Sequence, residues 1–259
     1  MDSGRGSGSR LEPQCSRYHI AVRDLEVRRL GVVPYAEASD LQRSLVEERR
    51  AGLIPDLLVL LEHPHVITLG VKVDSARSHL LATPELLQAR SVELHESGRG
   101  GDITYHGPGQ MVGYPIMDLQ PDRCDVHKYV RDLEEVMIRV AADFGLEGSR
   151  IKGRSGAWVG ADKLGAIGVR ISRWITSHGF ALNVATDLDF FRLIVPCGIE
   201  SGGVTSLSRA TGRPIAMAQA EASVIRHFAA VFMRTVVDGS RPEGGAMALG
   251  RGEVQITNR

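Results

Sequence analysis

The chain has 259 residues, 43% hydrophobic and 24% charged, the proportions of a folded globular protein and not of a disordered or fibrous one. Its 31 basic and 31 acidic side chains cancel, which excludes the one-signed field that holds nucleic acid or an anionic membrane surface. No apolar run approaches the roughly 20 residues of a membrane span, and MDSGRGSGSR at the start lacks the apolar centre of a secretory signal, so the expected location is the cytoplasm.

Residues 1–17 are rich in Gly, Ser and Arg and too poor in apolar surface to order themselves, and residues 239–259 have the same character. A single domain is expected between them, over 18–238. LEVRRLG (25–31) reads as a strand, and PYAEASDLQRSLVEERRAG as a helix opened by Pro34 and stopped near Gly52. LLVLLE (57–62) and HVITLG (65–70) read as a buried strand pair, TPELLQAR as a short helix capped by Thr83, and SVELHES as a strand. The glycine-rich RGGDITYHGPGQ (99–110) follows, then MVGYPIMDL as another strand. Between 125 and 144, Val126, Val130, Leu133, Met137, Val140 and Phe144 recur at spacings of three and four, predicting a helix with one buried face that Gly145 stops. GAWVG, LGAIGVRIS and HGFALNV read as consecutive strands, and PIAMAQAEASVIRHFAAVFMRTV as a final helix with Val224, Phe228 and Val231 inward. Runs of strands broken by a few helices predict an α+β domain.

RGGDITYHGPGQ has an ordinary reading as a turn at Pro108 and Gly109. It is neither a phosphate-binding loop with GK[ST] nor a dinucleotide fingerprint. Its glycines nevertheless allow close backbone approach to a ligand, and Arg99 and His106 offer donors. Cys15, Cys124 and Cys197 are an odd count without CxxC spacing, which speaks against a disulfide framework and a zinc site. Cys197, in LIVPCGIESGG, leaves an apolar run on a constrained turn suited to presenting a side chain. A lone cysteine is ordinarily a small buried hydrophobe, so a nucleophilic role requires an activator. Lys163, His106 and His178 are rival activators that residue type alone does not rank. A surface lysine and two structural histidines are the plainer readings of the same residues. The nine histidines hold one HxH pair, His63 and His65, and no HExxH, a pattern not suited to zinc, so no metal site is expected.

Five stretches together closely resemble the lipoyl(octanoyl) transferase family: PDLLVLLEHPHVITLG (55–70), RGGDITYHGPGQMVGYPIMDL (99–119), KLGAIGVRI (163–171), HGFALNVATDL (178–188) and IVPCGI (194–199). The resemblance runs from about residue 30 to 235. It implies a mixed β-sheet with packed helices, resembling the catalytic domain of biotin and lipoate protein ligases. It also implies an acyltransferase that moves an octanoyl group from octanoyl-acyl carrier protein to a lysine of lipoyl domains, in 2-oxoacid dehydrogenase complexes and the glycine cleavage H protein. In that family the cysteine matching Cys197 carries the acyl group as a thioester, and the lysine matching Lys163 is its dyad partner. Substrate-binding positions carry over to Arg99, Gly100, Gly101, Asp102, Ile103, Thr104, Tyr105 and His106, to Ala166, Ile167 and Gly168, and to Gly179, Phe180 and Ala181, with His178 in support. No cofactor is implied, and a monomer is the family-like expectation. SRWITSHG departs from the family pattern at Trp174 and Ile175, where smaller residues are common, and this bears on acyl-chain length.

The nearest rival is an ATP-dependent lipoate or biotin ligase of the same fold, which needs no nucleophilic cysteine and carries a GRGRxG signature missing here. Two further rivals are a scaffold protein that kept the fold and a thioesterase with water as acceptor.

Overall fold

A computed structural model describes residues 23–71, 73–195 and 203–237. In chain order these form β1 (Arg23–Val32), α1 (Tyr35–Arg50), β2 (Asp56–Glu62), β3 (Val66–Leu69), α2 (Val73–Ser78), α3 (Pro84–Ala89), β4 (Glu93–Glu96), β5 (Ile103–His106), β6 (Gln110–Ile116), α4 (Val126–Asp143), β7 (Gly148–Ile151), β8 (Arg154–Val159), β9 (Asp162–Ser172) and β10 (Ile175–Asn183). A 3-10 turn (Leu188–Leu193), α5 (Leu207–Thr211), α6 (Met217–Phe232) and β11 (Arg234–Val237) complete them. Eight strands make one sheet in the order β11-β1-β2-β6-β10-β9-β8-β7, and three make a second, β4-β3-β5. Both sheets mix parallel and antiparallel pairs.

The continuous apolar run of β2 follows from burial on both faces. Leu58 and Leu60 point to the core under α4 and α6, while Leu57, Val59 and Leu61 point to the core under α1, the two-residue alternation of a pleated strand. Each such side chain stabilises the fold by roughly 1.5–3 kcal/mol. Helix α4 starts at Asp125, whose carboxylate accepts the Lys128 N–H at 3.0 Å. Leu133, Met137 and Val140 are fully buried as the periodicity predicts, but Val126 is exposed and Tyr129 takes its place in the core.

Two expectations are corrected. LLVLLE and HVITLG are both buried strands but do not pair: β2 lies between β1 and β6 in the large sheet, and β3 between β4 and β5 in the small one. Periodicity shows that a strand is buried, not which neighbour buries it. The final helix ends at Phe232, where Met233 turns left-handed at φ 51°, and Arg234–Val237 becomes an edge strand parallel to β1. Val224 and Phe228 are fully buried, Val231 packs at the margin, and Phe232 is the deeper anchor. Among the described residues no helix is long and apolar enough to cross a membrane.

Candidate active site

A slot with about 590 Å³ of empty space, part of it open to solvent, lies over β9, β10 and β6 where the segment from Arg99 to His106 folds across them. Its apolar wall is Ala166, Ile167, Phe180, Ala181 and Val112. Gly168 and Gly179 face each other across β9 and β10 and leave that part of the floor without side chains.

Lys163 stands at one end of the slot and is only 7% exposed. A β-bulge puts it there: Ala157 pairs with Gly165 but Trp158 pairs with Lys163, so Leu164 is the extra residue on β9. Such bulges re-aim a neighbouring side chain. The Lys163 ammonium group lies 5.1 Å from the centroid of the buried Trp158 ring, a distance at which an aromatic face attracts a cation. Gly156 (φ 121°) makes room for it, since a Cβ there would come within 2.9 Å of Lys163 Cε. The Lys163 backbone N–H donates to the Gly203 carbonyl at 2.9 Å, and its carbonyl accepts the Thr205 N–H at 2.9 Å. The chain leading away from the slot is tied as well, with Val195 N–H donating to the His79 carbonyl at 2.8 Å. Cys197 lies outside the described residues, between these two tethers in sequence. Cys15 also lies outside them, and Cys124 is a free, exposed thiol.

The segment from 99 to 107 divides its residues by strand parity. Thr104 and His106 line the slot, whereas Ile103 and Tyr105 turn into the core of the small sheet. Gly101 lines the slot, while the Gly100 N–H hooks onto the Val169 carbonyl at 2.9 Å. Asp102 turns aside to accept the His79 Nδ1–H at 2.5 Å. At Gly107 the bare backbone serves packing, because a Cβ would sit 1.9 Å from the Tyr105 hydroxyl. The Arg99 guanidinium is buried against the slot, donating to the Thr68 carbonyl at 2.7 Å and to the Thr68 hydroxyl at 2.9 Å.

The end of the slot away from Lys163 is polar, with Arg99, His106, His178, Tyr114 and Tyr35. The Gln110 amide nitrogen donates to the Tyr105 carbonyl and to Asn183 Oδ1, so its oxygen must accept the His106 Nδ1–H at 2.7 Å. Asn183 in turn donates to the Thr205 carbonyl at 2.9 Å. A continuous buried chain therefore joins His106 to the residue that bonds the Lys163 carbonyl. Burial pushes the His106 ring down to about 3, and the neighbouring His63 adds to the shift. Burial likewise lowers His178 to about 4, helped by Arg99 and Arg170. Both rings are neutral near pH 7. His63 accepts the Tyr114 hydroxyl at Nε2 (2.7 Å) while its Nδ1–H donates to the Val33 carbonyl (2.7 Å).

Tyr35, Val112, Tyr114, Gln110 and Asn183 were not among the candidates from sequence. Gln110, Val112, Tyr114 and Asn183 fall inside the quoted motif stretches 99–119 and 178–188 without a role assigned there, Tyr35 falls outside them, and the order of strands in the sheet is what gathers all five. Trp174 and Ile175 do not line the slot. Arg173 and Trp174, at φ 51° and 66°, form the two-residue hairpin turn between β9 and β10, and Ile175 is buried beside α1.

Residues 34–229 match the family model described as the lipoyl protein ligase A/B catalytic domain. The chain is 54% identical to the octanoyltransferase of Rubrobacter xylanophilus over 206 residues, covering 79% of this chain and 92% of that one. It is 46% identical to the octanoyltransferase of Solibacter usitatus over 219 residues, covering 85% and 98%. Among solved structures it is similar to the bipartite lipoate protein ligase of Thermoplasma acidophilum, with TM-score 0.65 and 14% identity over 84% of this chain and 87% of that one. Lipoate-protein ligase A bound with ATP gives TM-score 0.63 at 15% identity, covering 83% and 90%. At such identities the structural likeness speaks for the fold alone.

Proposed function

The chain belongs to the octanoyltransferase family and is an acyltransferase, and from that premise we propose that it carries octanoyl groups from acyl carrier protein to lipoyl-domain lysines through a thioester on Cys197. The acceptors are the lipoyl domains of 2-oxoacid dehydrogenase complexes and the glycine cleavage H protein, met in the cytoplasm. In the first half-reaction the Cys197 thiolate attacks the carrier thioester. The new C–S bond forms as the old one breaks, and the pantetheine sulfur leaves and takes up a proton. In the second, the acceptor amine attacks the acyl-enzyme, an amide forms, and Cys197 is released as thiolate. Lys163 holds the thiol proton in the first step and receives the amine proton in the second. Aminolysis of a thioester is downhill, so no nucleotide is consumed.

The observation that carries this reading is the placement of Lys163. It is a buried lysine at the end of an apolar slot, bonded through its backbone to the residues that follow the Cys197 segment. The slot wall of Ala166, Ile167, Phe180 and Ala181 suits a saturated chain, and backbone N–H groups near the AIG and PCG segments supply the oxyanion donors. Incubation with octanoyl carrier protein, without ATP, should add one octanoyl mass. The adduct should map to Cys197, yield to hydroxylamine and discharge to an added lipoyl domain. Octanoylation that appeared only with ATP and free octanoate would instead establish a ligase.

A further inference from the structure

A second cleft lies beside the slot, between α1, the end of β4 and the β9–β10 hairpin, with about 1200 Å³ of empty space including that open to solvent. Among the described residues, His178 is the one that lines both cavities. Its backbone has φ 55°, a left-handed conformation that costs most residues other than glycine and asparagine. It is pinned there by Gln42 of α1, whose side-chain oxygen accepts the His178 N–H at 2.7 Å. The ring stands edge-on to Tyr114, at 6.4 Å and 83°, and no described group bonds its nitrogens. Tyr35 lines the slot and Ser97 lines the cleft. His178, with Tyr35 on one side and Ser97 on the other, forms the partition between the slot and the cleft.

Strand geometry sets the distance from the reacting end. His178 is directly opposite Val169, which stands six residues after Lys163 on β9, or about 17 Å of strand once the bulged Leu164 is left out. The wall along that run is Ala166, Ile167, Phe180 and Ala181, so a saturated chain that enters at Lys163 is led along it toward His178.

Resting on the function proposed above, we propose that His178, held by Gln42, is the stop that sets acyl-chain length, and that beyond it the neighbouring cleft is space from which longer chains are excluded. The partition acts by occupying volume, not by transferring protons.

The test is the ratio of dodecanoyl to octanoyl transfer from carrier protein onto the enzyme, read by intact mass in a timed competition. His178→Gly removes the ring and suits the left-handed backbone. His178→Asn tolerates the same backbone and leaves part of the volume filled. Four added methylenes, once admitted, favour binding, so the ratio should rise by about tenfold or more in His178→Gly and by less in His178→Asn. An unchanged ratio in both, with octanoyl adduct still forming, overturns the inference and leaves the transferase reading standing. If the unaltered enzyme forms no octanoyl adduct, both readings fall. Should the His178 variants acylate too slowly to measure, calorimetric binding of dodecanoate against octanoate decides, with Gln42→Ala as a further variant. A relative gain for dodecanoate supports the stop, and none overturns it.

Discussion

Two buried polar clusters lie towards opposite ends of α1, and they are built on opposite principles. At the β11-β1-β2 edge the Asp56 carboxylate, with its side chain fully buried, accepts from Arg49 Nε (2.9 Å), Arg234 Nε (2.8 Å) and the Asp118 N–H (3.0 Å). Asp122 takes Arg23 and Arg234 at 2.8 and 3.2 Å. Burial pushes Asp122 upward, but Arg234 and Arg23 outweigh it and hold its carboxyl below the usual range. The slot cluster keeps its histidines neutral, and the His178 ring nitrogens have no bonding partner among the described residues. A cluster that pairs its carboxylates with arginines is a staple between strands. One whose histidines stay neutral and whose His178 nitrogens are open is able to receive a ligand.

The sharpest way to break this comparison is at the slot. Lys163→Ala should cut acyl transfer by about 10²–10⁴-fold, the range of a lost acid–base group, while the melting temperature falls little by comparison. Transfer that persisted at near-normal rate would remove Lys163 from the chemistry. At the edge, Asp56→Asn should do the reverse, destabilising the fold by about 3 kcal/mol because Arg49 and Arg234 keep buried, under-compensated charge, with transfer per folded molecule unchanged. Urea unfolding alongside single-turnover transfer separates the two.

The pH dependence of stability discriminates further. His106 has a folded value of about 3 against an unfolded value of about 6.5, so below pH 6.5 the unfolded chain binds the extra proton and stability is lost as pH falls. From His106 alone the loss should be on the order of 2 kcal/mol between about pH 6.5 and 5, and His106→Gln should flatten that slope. A slope unaltered by the substitution would mean that the ring is charged in the fold. The smallest effect is expected at Gln110→Ala, which leaves the His106 Nδ1–H without its acceptor and takes one of the bonds to Asn183 Oδ1, at a cost of about 1–2 kcal/mol. Slower transfer is expected too, since the same chain reaches Thr205 and the Lys163 backbone.

Local signals were legible wherever one residue's chemistry fixed its own surroundings. Thr83 caps α3, accepting the Leu86 N–H at 3.3 Å, and Pro34 opens α1. The stripe of Leu133, Met137 and Val140 is buried. RGGDITYHGPGQ was legible as a site segment, but its inner division was not: Thr104 and His106 face the slot only because Ile103 and Tyr105 face a second sheet. No periodicity over four residues tells a strand from a glycine-rich turn when its partners are β3 and the rest of a sheet assembled from distant chain.

By itself, then, the sequence determined which residue types were available, where helices began and ended, and, through ordered motifs, the family. It could not decide that Lys163 is buried, because that depends on the Leu164 bulge and on Trp158 stacking beneath it. Nor could it decide that His178 stands between two cavities, because its neighbours Gln42, Tyr35 and Ser97 come from 136, 143 and 81 residues earlier in the chain. Side-chain chemistry is a property of the residue. Burial, tautomer and what lies across a wall belong to contacts between segments far apart in sequence, and those exist only once the sheet order is fixed.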